Sequence, residues 1–168
     1  MVDVMSAFVP DLPVLAAYLT AAVILGLTPG PDMTLFLSKT VAQSRTAGLA
    51  AFAGASTGLV MHSVLVAAGL SVVIAASATA FLIVKIAGAI YLAYLAYDAI
   101  ANGSALSFDR ASPRERIGAV YFKGLMVNLL NPKIIAFFVT FLPQFVSPTD
   151  PNAARKLLFL GLAFVVVN

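Results

Sequence analysis

Three polar positions stand out because they interrupt long apolar stretches. Asp32 follows Thr28-Pro29-Gly30-Pro31 in the first stretch, and His62, the only histidine, sits in the second. Asn128-Leu129-Leu130-Asn131-Pro132-Lys133 breaks a later one. A carboxylate inside a bilayer core costs about 2.5–3.5 kcal/mol on insertion scales, so Asp32 needs a cation, a proton or water. Imidazole titrates near neutrality and can relay protons, yet a lone intramembrane histidine also serves as a packing residue. Both readings of His62 stand. Proline removes a backbone donor and crowds the carbonyl four residues earlier, so Pro29, Pro31 and Pro132 predict interrupted helices. In lipid, broken backbone is tolerated only where it is buried in protein or lines a wet cavity. Each break also frees N–H groups at a new helix N-terminus, an end that attracts anions.

The chemistry that is missing narrows the field. Without cysteine there is no disulfide framework, thiolate metal site or cysteine nucleophile. A single histidine makes a multi-histidine zinc centre or a Ser-His-Asp arrangement a poor fit. No nucleophile–base pair is evident, so an enzyme is not expected, nor is a metal or any other cofactor. A net charge of +3 and a pI of about 9.4 rest on dispersed bases. A nucleic-acid partner would require them clustered.

The elements that must position these residues follow from composition. Of 168 residues, 61% are apolar and 10% charged, against roughly half and one quarter in a soluble domain. The mean hydropathy of +1.01 agrees, and the chain reads as an all-α polytopic membrane helix bundle. Leu12 to Gly30 carries no charge, and Thr46 to Val84 carries no ionisable group except His62. Each stretch exceeds the roughly 18–20 apolar residues that a bilayer core about 30 Å thick demands. The spacing predicts helix one over 14–40, helix two over 47–75 and helix three over 80–100, with Ser77-Ala78-Thr79 as a turn. Asn102-Gly103-Ser104 and the charged run Asp109 to Arg116 predict a solvated loop over 101–116. Helix four is expected over 117–144, a turn at Pro148-Thr149-Asp150-Pro151-Asn152, and a fifth apolar run from Leu157 to the last residues.

The N-terminal segment has Asp3 and Asp11 and no base before Lys39, the reverse of a secretory signal, so it is expected to stay as an uncleaved first span. With the N-terminus outside, Lys39, Arg45, Arg110, Arg114 and Arg116 fall in the cytoplasm, and Arg155 and Lys156 outside. The arginines of the connector would lie near anionic lipid heads.

Superposing Pro31 on Pro132 aligns Asp32 with Lys133 and Phe36 with Phe137. Three spans separate the breaks, and an odd number inverts the second copy. That is the arrangement of inverted-repeat transporters, whose half-helix ends meet substrate near the midplane. One domain is expected, 14–100 forming the first repeat and 117–168 a partial second. The second copy is about 35 residues shorter, the rest of helix five plus a sixth span, so the chain is expected to be truncated.

Pro29-Gly30-Pro31-Asp32 followed by Leu35-Phe36-Leu37-Ser38 resembles the signature of the LysE/RhtB amino-acid exporters. The likeness continues through Gly48-Leu49-Ala50-Ala51, Gly54, Thr57-Gly58, His62 and Gly69-Leu70-Ser71. It extends through Lys85, Gly88 and Tyr91-Leu92, then from Gly124 to Asn131-Pro132-Lys133 and Phe141-Leu142-Pro143-Gln144-Phe145. The resemblance implies a six-span secondary exporter of amino acids or their derivatives in a bacterial inner membrane, driven by the proton-motive force. Its partners would be substrate, protons and lipids, with a homo-oligomer left open.

On that reading Pro29, Gly30, Pro31, Asp32, Asn128, Asn131, Pro132 and Lys133 are candidates for substrate binding, and Asp32 and His62 for proton coupling. Asp32 either pairs with Lys133 and locks the halves together, or binds the substrate ammonium or the coupled proton. The two alternate if a zwitterion replaces the pair. Asn128 and Asn131 either satisfy broken backbone or touch substrate. Ordinary explanations serve elsewhere: Lys85 snorkels, Asp98 and Lys123 pair with loop charges, and Tyr91, Tyr94 and Tyr97 form an aromatic stripe. Ala51, Gly54 and Gly58 give helix two a small-residue face for tight packing. A cation exporter with Asp32 and the asparagines as oxygen ligands is a rival, though one acid beside Lys133 is little charge for a divalent ion. A truncated, non-transporting membrane protein is the other.

Overall fold

The computed structural model describes residues 7–76, 114–147 and 149–168 with single positions between 79 and 97, and only the backbone over 70–76. The described elements are all helical: α1 (Leu12–Leu27), α2 (Pro31–Ala42), α3 (Arg45–Ala76), α4 (Ile117–Leu129), α5 (Pro132–Ala136) and α6 (Ala153–Val167). Expected helix three falls on 80–100, where only single helical positions such as Ile86, Ile90, Tyr94 and Tyr97 are described. The turn residues Ser77 and Ala78, the loop 101–113, Lys85, Tyr91 and Asp98 lie outside the described residues.

Proline chemistry sets both breaks. A residue before proline avoids the helical region, and Thr28, ahead of Pro29, is extended at ψ 116. Pro31 then occupies the first turn of α2, where its missing N–H costs nothing. The two half-helices meet at a 49° bend. The second break repeats the device: Asn131 is extended ahead of Pro132, and α4 meets the segment Pro132–Phe145 at 48°. Beyond α5 the chain widens into a π-helical turn (Phe137–Phe141) and tightens into a 3-10 turn (Leu142–Phe145). Pro143 explains the change, because it cannot donate to Val139 and its ring crowds that carbonyl.

Membrane helices gain little from burying apolar surface against one another, so close backbone approach does the work. A Cβ at Gly54 would run into the Tyr121 carbonyl, and one at Gly124 into the Ala51 carbonyl. The small face of α3 therefore packs inside the bundle, against α4. A Cβ at Gly161 would meet Ser63 Oγ at 2.6 Å, which seats α6 on α3 in the same way. The core is aromatic, with Phe137 stacked on Phe164 at 4.2 Å between centroids. The buried Tyr18 hydroxyl donates to the Leu160 carbonyl at 2.6 Å, tying α1 to α6.

The α6 helix starts at Ala153, four residues ahead of the apolar run that begins at Leu157. Asp150 accepts from the Asn152 N–H at 2.8 Å and pairs with Lys156 at 2.7 Å, so Arg155 and Lys156 belong to its first turn. Outward faces are apolar: Leu27, Leu49, Leu65, Leu130 and Val166 are all exposed, as expected where lipid is the solvent. Among the described residues, Arg45–Gly69 is long and apolar enough to cross a bilayer, and each bent pair counts as one more span, giving up to three.

Candidate functional site

The two breaks meet. Asp32, in the first turn of α2, is buried, and its Oδ2 accepts from Asn128 Nδ2 and from Asn131 Nδ2, both at 3.0 Å. Asn128 lies in the last turn of α4, and Asn131 is the N-cap of α5, where its Oδ1 also accepts from the Lys133 N–H at 3.0 Å. One asparagine thus finishes a helix start with its oxygen and holds a carboxylate from the other half with its nitrogen. Asp32 also stands at the amino end of α2, where the helix dipole favours its charge.

Lys133 does not complete an ion pair with Asp32, contrary to the locked-pair expectation. Its Nζ donates to the Thr28 carbonyl at 2.9 Å and the Leu25 carbonyl at 3.4 Å, while electrostatic attraction to Asp32 persists across the site. The reason lies in the first break. In an unbroken helix the Leu25 carbonyl would accept from residue 29; Pro29 has no N–H to give, and the carbonyl takes the Thr28 N–H at 3.2 Å instead. An ammonium from the second break then settles at the negative end of α1, nearest the Thr28 carbonyl that the break leaves open. Gly30 leaves the room: a Cβ there would sit 3.0 Å from Lys133 Nζ.

Three buried polar atoms around this clamp have no hydrogen-bond partner among the described residues: Asp32 Oδ1, Asn128 Oδ1 and His62 Nε2. Two are pure acceptors. The His62 ring lies against the Asn128 backbone and stacks on Phe138 at 5.4 Å between centroids. Burying an unpaired acceptor costs about 1–3 kcal/mol, so the arrangement suits a donor-rich group arriving between them. The room around Asn128 comes from Gly58, where a Cβ would lie 2.5 Å from Asn128 Oδ1. The candidate residues Asp32, His62, Asn128, Asn131 and Lys133 are thus gathered at one place, with Pro29, Gly30, Pro31 and Pro132 shaping the backbone around them. Among the described residues, no group of three or more His, Cys, Asp or Glu could hold a metal ion.

Sequence reasoning missed a second polar cluster, at the carboxyl end of α2. Lys39, almost fully buried, pairs with Glu115 at 2.6 Å, and Lys123 approaches the same oxygen at 3.4 Å. Gln43 brackets the Glu115 backbone, donating to its carbonyl at 2.6 Å and accepting from its N–H at 3.1 Å. The Lys39 hydrogen bond holds the Glu115 carboxyl below its ordinary range. Lys39 and Glu115 read separately as loop charges; Lys39 stands two turns after Asp32 on the same helix face, but that spacing does not point to Glu115.

Comparison with known proteins places these features in context. The profile of the LysE type translocator family matches residues 23–168. The chain is 34% identical over 152 residues to a homoserine/homoserine lactone efflux protein of Salmonella typhimurium, covering 90% of this chain and 73% of that one. It is 31% identical over 153 residues to a leucine efflux protein of Salmonella choleraesuis, covering 90% and 72%. A membrane protein of Vibrio cholerae of uncharacterised function is 34% identical over 158 residues, covering 94% and 77%. No solved structure matches the chain.

Proposed function

This chain belongs to the LysE family of translocators, so it is a membrane transporter and not an enzyme, and we propose that it exports an amino acid or a close derivative. Two of the relatives are efflux proteins for homoserine or its lactone and for leucine, substrates that share an amino group. The observation that carries the reading is the Asp32 clamp: one carboxylate oxygen fixed by asparagines from the other half, the second buried and free.

An ammonium offers three donors. Placed at the clamp, it gives one to Asp32 Oδ1 and one to Asn128 Oδ1, answering both free acceptors. The substrate carboxylate then draws Lys133 away from the α1 carbonyls, which couples loading of the site to the end of the half-helix. Pro29, Gly30, Pro31 and Pro132 keep the backbone open there. When substrate leaves, Asp32 takes up a proton, with His62 beside it as the relay, so that export runs against proton entry. The similar bends of 49° and 48° support two inverted halves rocking about this point. With the N-terminus outside the inner membrane, α2 runs inward and its carboxyl end faces the cytoplasm.

The test loads cells expressing the chain with amino acids as dipeptides and follows release with and without an uncoupler. Selective, uncoupler-sensitive release of one or a few amino acids is expected, and Asp32→Asn should abolish it. Wild-type release by both Asp32→Asn and Lys133→Met would overturn the site, and uncoupler-insensitive release would overturn proton coupling.

A further inference from the structure

We infer that the Lys39–Glu115–Gln43 cluster is a latch that closes the pathway at the carboxyl end of α2, below the Asp32 site. Three observations stack along one line. Lys39 lies two turns after Asp32, about 10 Å further along the same face of α2. Between them, Leu35 and Phe36 pack against the buried Ala47, Ala51 and Val120 of α3 and α4, forming an apolar plug. Beneath the plug, Lys39 and Gln43 hold residue 115 by three hydrogen bonds, two of them to its backbone.

The chemistry suits a contact that opens and recloses. Lys39 is almost fully buried, whereas Glu115 is about a third exposed, so water reaches one partner and screens the attraction. Lys123 approaches the same carboxylate and can take Glu115 over when Lys39 leaves. Gln43 needs no charge to hold the backbone of 115, so that residue is guided back into register after each opening. Residue 115 lies next to Arg116, the N-cap of α4, the helix that carries Asn128, so release of the latch frees the start of α4 while its far end remains on Asp32.

A readout that needs no substrate keeps this inference separate from the transport reading. The chain has no cysteine, so Leu35→Cys places a single thiol in the plug. Purified protein in lipid nanodiscs is treated with a water-soluble maleimide and the labelling rate followed. Slow labelling is expected with the latch intact, and a rise of at least about fivefold in Lys39→Met and in Glu115→Gln, the scale of one partly screened ion pair. Glu115→Gln keeps the backbone contacts to Gln43 and the size of the side chain, which guards against simple misfolding. Because both variants break one contact, the double variant should label no faster than the faster single one. Unchanged labelling in the two single variants, or rates that multiply in the double variant, would overturn the latch.

Discussion

Gly58→Ala probes the clamp without touching a charged residue. In a helix interior this substitution alone should stabilise by about 1 kcal/mol, since alanine is the better helix former. The added methyl, however, would lie 2.5 Å from Asn128 Oδ1 and 3.1 Å from its Cβ and Cγ. Asn128 can relieve the clash only by turning its amide, and the nitrogen on that amide holds Asp32 at 3.0 Å. The helix cannot retreat instead, because Gly54 and Gly124 seat α3 on the backbone of α4. Losing one hydrogen bond to a buried carboxylate costs about 1.5–3 kcal/mol, which corresponds to a loss of transport efficiency of roughly ten- to a hundredfold. The assay is efflux from dipeptide-loaded cells, paired with thermal melting of the purified protein. Gly69→Ala is the control, since a Cβ there meets nothing within 4 Å. Asn128→Ala should fall as far as Gly58→Ala, and the double variant no further. Wild-type efflux by a well-folded Gly58→Ala protein would refute the idea that the Asn128 hold on Asp32 is needed for transport.

Three further outcomes are expected. Tyr18→Phe removes the second donor from the Leu160 carbonyl, which keeps its helical partner, and should cost about 0.5–1.5 kcal/mol, read as a lower melting temperature with little change in substrate preference. Gly124→Val forces a branched side chain into the Ala51 backbone and should cost about 3 kcal/mol or leave no folded protein, read by detergent-solubilised yield and melting. The Glu115 carboxyl titrates below its ordinary 4.5 in the folded protein because Lys39 donates to it. Its contribution to stability is therefore complete above about pH 4.5 and is lost as pH falls through the lower folded value. Melting scans from pH 7 to pH 3 should show a component that Glu115→Gln removes.

The helix breaks were legible because proline acts locally: Pro29, Pro31 and Pro132 each disturb their own turn whatever surrounds them. The convergence of Asp32, Asn128 and Asn131 was legible as a set of candidates, since each is a costly residue in an apolar run. The pairing within the set was not. Opposite charges invited an Asp32–Lys133 bridge, but the carbonyls at a broken helix end are also strong acceptors, and those of Thr28 and Leu25 won the ammonium. The signal existed in the chain, as the helix end that Pro29 and Pro31 create. The Lys39–Glu115 contact was illegible for another reason: it joins residues far apart through the docking of α2 beside α4, and neither local pattern nor spacing specifies that docking. The early start of α6 escaped because Arg155 and Lys156 looked like loop charges until Asp150 and Asn152 were seen to initiate the helix.

The hold of Lys133 on the end of α1 also bears on how the chain enters its membrane. While synthesis has reached only α3, the Thr28 carbonyl lacks the ammonium, and Asp32 lacks both asparagines, that serve them in the finished fold. Unsatisfied groups of this kind cost several kcal/mol each in hydrocarbon. The early helices must therefore wait in a wet or protein-lined place, such as the insertion channel or a chaperone, until residues 128–133 have emerged. Assembly is then set by the order of translation: the first half is delivered early and released into lipid late.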